Sequence, residues 1–174
     1  MIENDEASKK KVHVQSTLME STSCQILPEE DSHIVYTIGY EGLNPMEFAE
    51  KLKCHRIERL IDVRERASSR KAGFSKTALS LFLKDEGIEY IHLRALGAPP
   101  DIRHEYKGGG SQKTFFEEYE KHIREDSMEE LEALKKHISE KTSVLMCFET
   151  SYLQCHRRIL ADMLKDAGFR VKHL

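Results

Sequence analysis

Thr142–Arg158 reads TSVLMCFETSYLQCHRR. Val144-Leu145-Met146 is a continuous apolar run of the kind that forms a strand buried on both faces. Polar and reactive side chains then crowd together: Cys147, Glu149, Thr150, Ser151, Cys155, His156, Arg157 and Arg158. A helical pattern follows, with Ile159, Leu160, Met163, Leu164 and Ala167 on one face and Gly168 as C-terminal cap. Open α/β sheets build ligand sites in this way, from a buried strand that ends in reactive groups and feeds a helix.

Working outward, the same alternation recurs from Ile34 onward. Ile34–Ile38 is a β-branched and aromatic run closed by Gly39, hence a strand and a tight turn. Asn44-Pro45 opens a helix, with Asn44 as cap, Pro45 in the first position and Glu47 completing a capping box. Ile57–Val63 is the second strand and Ile88–Leu93 the third, joined by a helix that Ser75 starts and Gly87 ends. Phe115–Ile138 is helical in two pieces broken near Asp126-Ser127, where Ser127–Glu130 forms a second capping box. Thr142–Cys147 is the fourth strand and Arg170–Leu174 a short fifth.

This pattern predicts a three-layer α/β domain, a mostly parallel sheet of about five strands with helices on both faces. Right-handed crossovers put every strand-to-helix junction on one edge of such a sheet. Tyr40 and Glu41, Asp62 and Arg64, Arg94, and Cys147 and Glu149 then face one crevice outside the carboxyl ends of the strands.

Composition narrows the classes. A chain of 174 residues supports one domain, read as residues 33–174, with residues 1–32 a polar, flexible tail in which Val12 and Val14 offer a short edge strand. A net charge of −3 excludes a protein that is basic as a whole and binds nucleic acid on that account. No apolar run approaches the roughly 20 residues of a membrane span. Cys24, Cys54, Cys147 and Cys155 lack both CxxC spacing and the density of a disulfide scaffold, so a reducing, cytoplasmic setting is expected.

TIGYEG (Thr37–Gly42), LIDVR (Leu60–Arg64), GFSKTAL (Gly73–Leu79), GIEYIHLRALG (Gly87–Gly97) and CFETSYLQCHRR (Cys147–Arg158) together resemble a bacterial and archaeal family, domain of unknown function 488. The most specific part is Cys-x-Glu followed by Cys-His-Arg. The resemblance implies a small cytoplasmic α/β domain and supplies positions rather than a mechanism. LIDVRE followed by a strand ending in Cys is also similar to rhodanese-like sulfurtransferases, whose Cys opens a short anion-binding loop. Here Phe148–Gln154 has no Gly, and the first arginine after Cys147 is Arg157.

The residues themselves suggest three chemistries. Arg64, Arg157 and Lys76, with Tyr40, Cys155 and His156 around them, form a candidate anion site, because guanidinium forks match phosphate and carboxylate and a helix start favours an anion. Asp62 and Glu149 are the candidate acid–base pair, two carboxylates on different strand ends whose environments can push their pKa values apart. Cys147, near a helix start, is the candidate nucleophile. C-x-E-x5-C-H matches no strong zinc pattern, and neighbouring Cys and His side chains rarely aim at one ion, so neither a metal nor a cofactor is assigned. The Gly/Pro-rich segment Arg94–Lys113 reads as a lid hinged at Gly108–Gly110.

The function expected is therefore an enzyme acting on a small anionic substrate, a nucleotide or nucleic-acid fragment. The alternatives are a non-catalytic module binding the same ligands, or sulfur transfer through Cys147. No membrane partner is expected, and the short final strand leaves an edge compatible with a monomer or a weak dimer.

Overall fold

The computed structural model describes residues 34–174. The flexible tail, the strand at Val12 and Val14 and the setting of Cys24 lie outside the described residues. Five strands, β1 (Ile34–Gly39), β2 (Arg59–Asp62), β3 (Glu89–His92), β4 (Ser143–Cys147) and β5 (Arg170–His173), form one sheet in the order β3-β2-β4-β1-β5. Every pairing is parallel. The helices are α1 (Pro45–Cys54), α2 (Lys76–Asp85), α3 (Pro100–Lys107), α4 (Gln112–Asp126), α5 (Met128–Glu140) and α6 (Arg157–Asp166).

The strand pleat sorts the core into two layers. Along β4, Val144 and Met146 pack on one face with Phe48 and Leu52 of α1 and Leu79 and Leu83 of α2. Leu145 points the other way, into a cluster with Tyr119 and Ile123 of α4, Leu134 and Ile138 of α5 and Leu160 and Leu164 of α6. Burial on both faces explains why β4 carries no alternating polar residue.

Connection direction accounts for which helix lies where. The chain steps from β1 to β2 to β3 toward one side of the sheet, through α1 and α2. It then steps back from β3 to β4 to β5, through α3–α5 and α6. Right-handed crossovers put opposite steps on opposite faces, as the two clusters show. β1 and β4 are neighbours whose chains leave in opposite directions, so a crevice opens between their carboxyl ends.

Local signals explain the boundaries. Asn44 caps α1 in a complete capping box with Glu47. The box expected at Ser127 is absent, because the Ser127 hydroxyl donates to the Ala95 carbonyl instead. The segment read as a lid has regular structure of its own. Arg94–Leu96 is a 3-10 turn and Pro100–Lys107 is a helix, started by Pro100 in the first turn and closed at Gly108. Gly97 is needed there, since a Cβ would lie 1.9 Å from the Glu65 backbone nitrogen.

Candidate functional site

The β4–α6 junction is folded back over the end of β1. Tyr40 N donates to Cys147 O at 3.2 Å and Glu41 N to Phe148 O at 2.9 Å. Thr150 N and Oγ1 then donate to Glu41 Oε2 and Glu41 O at 3.1 and 3.0 Å. This close crossing requires Gly39, where any Cβ would stand 1.9 Å from Glu149 O. A 3-10 turn at Tyr152–Gln154 carries the chain into α6, and Tyr152 stacks on His173 of β5.

The turn brings four donor side chains together. Cys147 S–H donates to Glu149 Oε2 at 3.2 Å, and its sulfur lies 3.9 Å from His156 Nδ1. Cys155 Sγ is 3.7 Å from the same Nδ1. The expectation that adjacent Cys155 and His156 would diverge is corrected: Cys155 is extended and His156 already helical, so both side chains turn toward Cys147. The sulfurs of Cys147 and Cys155 and a ring nitrogen of His156 lie within 4.8 Å of one another, and all three residues are buried. Glu149 is half-buried at the mouth, beside Phe148, which is 42% exposed.

His156 is oriented from outside the cluster. Its Nε2 lies 2.8 Å from the Val63 carbonyl, which only accepts, so Nε2 carries a proton and Nδ1 faces the thiols. Tyr119 closes the far side, its ring edge-on to the imidazole at 5.1 Å and its hydroxyl donating to Leu96 O at 2.5 Å. Tyr119 was not singled out in the sequence, where it reads as one more apolar position of an amphipathic helix.

The cluster polarises its own members. The hydrogen bond with Cys155, then burial, hold the Cys147 thiol well above its usual range. Burial alone would raise Cys155 too, but Cys147, His156 and Arg157 outweigh it and hold that thiol well below its usual range. Burial would lower His156, yet the Cys155 sulfur beside it raises it. Burial and the charge on Cys155 raise the Glu149 carboxyl. The surroundings thus favour the thiolate at Cys155, and the candidate nucleophile Cys147 lies beside it.

The two arginines read as anion clamps are already engaged. Arg157 is 1% exposed; its Nε donates to Cys155 Sγ at 3.3 Å and its Nη2 to the Glu149 carbonyl. Arg64 is held by Asp62 through Nε at 2.8 Å and Nη2 at 2.6 Å, while Nη1 donates to Tyr40 Oη and to the Phe74 carbonyl. Asp62 is fully buried, and its oxygens also accept from Arg64 N and from the Tyr90 hydroxyl at 2.6 Å. Asp62, Arg64 and Tyr40 thus form a rigid girder under the β2 end. Lys76 is exposed and reaches His92, whose Nε2 donates to Arg64 O. A separate hollow of about 530 Å³ beyond β3, lined by Glu65, His92, Arg94, Pro99, Pro100 and His122, shares no residue with the thiol cluster.

A family model described as "Domain of unknown function DUF488" matches residues 44–164, a span that holds the whole cluster. The chain belongs to the DUF488 family. No curated protein and no solved structure matches it. The DUF488 span runs from α1 to α6, so the sheet neighbours β1 and β5 lie outside it. Among the described residues of this DUF488 protein, no helix is long and apolar enough to cross a membrane.

Proposed function

We propose that the protein is a cytoplasmic enzyme whose reacting centre is the cluster Cys147, Glu149, Cys155 and His156, acting on a small anionic substrate derived from a nucleotide or nucleic acid. The observation that carries this reading is the convergence of two thiols, an imidazole and a carboxylate at the crevice between β1 and β4. Burying such groups together costs stability that an apolar core would not, and sites of this kind are where titrating groups are pushed apart. The anionic character of the substrate follows from the segment after β2, where the side chains of Arg66, Arg70 and Lys76 are exposed and Lys71 donates to the Tyr40 carbonyl at 3.1 Å. Glu149, the one half-buried member of the cluster, meets the substrate and handles its proton; Asp62, Arg64, Tyr40 and Arg157 hold the frame.

The test is a thermal-shift screen of nucleotides, phosphosugars and short oligonucleotides against wild type and Glu149→Gln. A ligand at 100 times its dissociation constant adds about 2.7 kcal/mol, which moves the midpoint by several degrees. One ligand class should stabilise wild type and be turned over by it, while Glu149→Gln binds without turnover. Binding without turnover by wild type itself would leave a binding module, and no shift with any class would end the reading.

Thiol-based group transfer is a second reading, favoured by the His156 imidazole and the Arg157 guanidinium that both face the Cys155 sulfur. It moves the nucleophile from Cys147 to Cys155.

A further inference from the structure

We infer that Cys147, Cys155 and His156 hold one thiophilic divalent cation of the zinc class, with the fourth position open toward Glu149 at the mouth. This rests on the reading of the cluster as the reacting centre and supplies its missing electrophile.

Distances carry the argument first. Zinc binds thiolate sulfur at about 2.3 Å and imidazole nitrogen at about 2.0–2.1 Å, so a tetrahedral site has sulfur–nitrogen edges of about 3.5 Å. The two sulfur–nitrogen separations here are 3.9 and 3.7 Å, and the Cys147 sulfur is 3.2 Å from Glu149 Oε2. With the two sulfurs and the imidazole nitrogen all within 4.8 Å of one another, side-chain rotation would bring these three atoms onto one ion.

Orientation from outside the cluster is the second support. Histidine ligands typically donate their other ring N–H to a carbonyl or carboxylate, which fixes the ring and leaves a lone pair for the metal. His156 does this toward Val63 O, at the carboxyl end of a different strand. Nδ1 is therefore presented to the sulfurs by the sheet.

Charge is the third. Two thiolates cancel the charge of a dication, and the buried Arg157 guanidinium beside Cys155 balances the Glu149 carboxylate at the mouth. Sulfur-rich donors select zinc-class ions over magnesium and calcium, which prefer oxygen. Three buried donors leave one position open at the mouth beside the half-buried Glu149, the arrangement of a catalytic rather than a purely structural ion.

The experiment is a titration of chelator-treated, reduced full-length protein with Co²⁺, followed by Zn²⁺. Saturation at one Co²⁺ per chain is expected, with near-ultraviolet thiolate-to-cobalt charge-transfer bands and intense tetrahedral visible bands, both abolished by Zn²⁺. Charge-transfer intensity should fall in Cys147→Ser and in Cys155→Ser, whereas Glu149→Gln should keep it and shift only the visible bands. No saturable binding to wild type at millimolar Co²⁺ overturns the proposal, even if the cysteine variants fail to fold. So does a charge-transfer spectrum that survives in both folded cysteine variants. The anionic-ligand screen is read independently, so a substrate that binds metal-free protein would leave the enzyme reading intact while the metal proposal fell.

Discussion

Gly39 and Glu149 are in backbone contact: a Cβ built on Gly39 would stand 1.9 Å from the Glu149 carbonyl oxygen and 2.8 Å from Thr150 Cα. That carbonyl accepts from Arg157, so a missing side chain on β1 positions a guanidinium on α6. Gly39→Ala must push the turn away from the sheet. We expect a loss of at least about 2 kcal/mol in denaturant unfolding, in line with overpacked sites. Co²⁺ affinity should fall with it, and an unchanged midpoint would show that the crossing is not tight.

Arg64→Met strands a fully buried Asp62 carboxylate. Breaking one half of a buried ion pair costs about 3–5 kcal/mol. Asp62→Leu combined with Arg64→Met should recover much of that loss, since no charge is then left unpaired. Equal losses in the single and double variants would show that the pair matters through shape alone.

Tyr90 gives a pH-dependent prediction. Burial, then the charge on Asp62, hold its phenol above the ordinary tyrosine range. A raised folded-state value means the contribution is complete below the unfolded value of about 10 and is lost as pH climbs through the folded one. Tyr90→Phe should be less stable than wild type by about 1.5–3 kcal/mol near neutrality, the worth of a hydrogen bond to a charged group. That gap should close at alkaline pH. A gap constant from pH 7 to 11 would contradict the assignment.

In metal-free protein, iodoacetamide should label Cys155 before Cys147, as read by peptide mass. The His156→Gln variant should slow that labelling near neutrality, because the imidazole favours the thiolate. Stoichiometric Zn²⁺ should protect both thiols, and chelation should restore labelling and lower the melting midpoint. Labelling that favours Cys147 would reverse the polarity described for the pair.

The alternation of strands and helices was legible because each strand carries its own apolar run and each turn its own cap. Strand order was not. Nothing in Val144-Leu145-Met146 says that β4 lies between β1 and β2; that follows only when crossover direction and helix layers are combined. The candidate residues around Cys147 were legible as a group, but their roles depended on backbone detail. Arg157 looked like an anion clamp because it starts a helix, yet the Glu149 carbonyl, displaced over Gly39, takes its guanidinium. Cys155 and His156 converge through a 3-10 turn that no periodicity announces.

The sheet order has a kinetic corollary. Except for β2 with β3, the pairings join distant parts of the chain, as Val35 with Ser143, Arg59 with Ser143 and Ile34 with Arg170 show. Closing them demands much loop entropy before any contact rewards it. The three donors, by contrast, all fall between Cys147 and His156 and need only a short loop to meet. An ion captured by that turn would give the slow, long-range sheet a local nucleus on which to assemble.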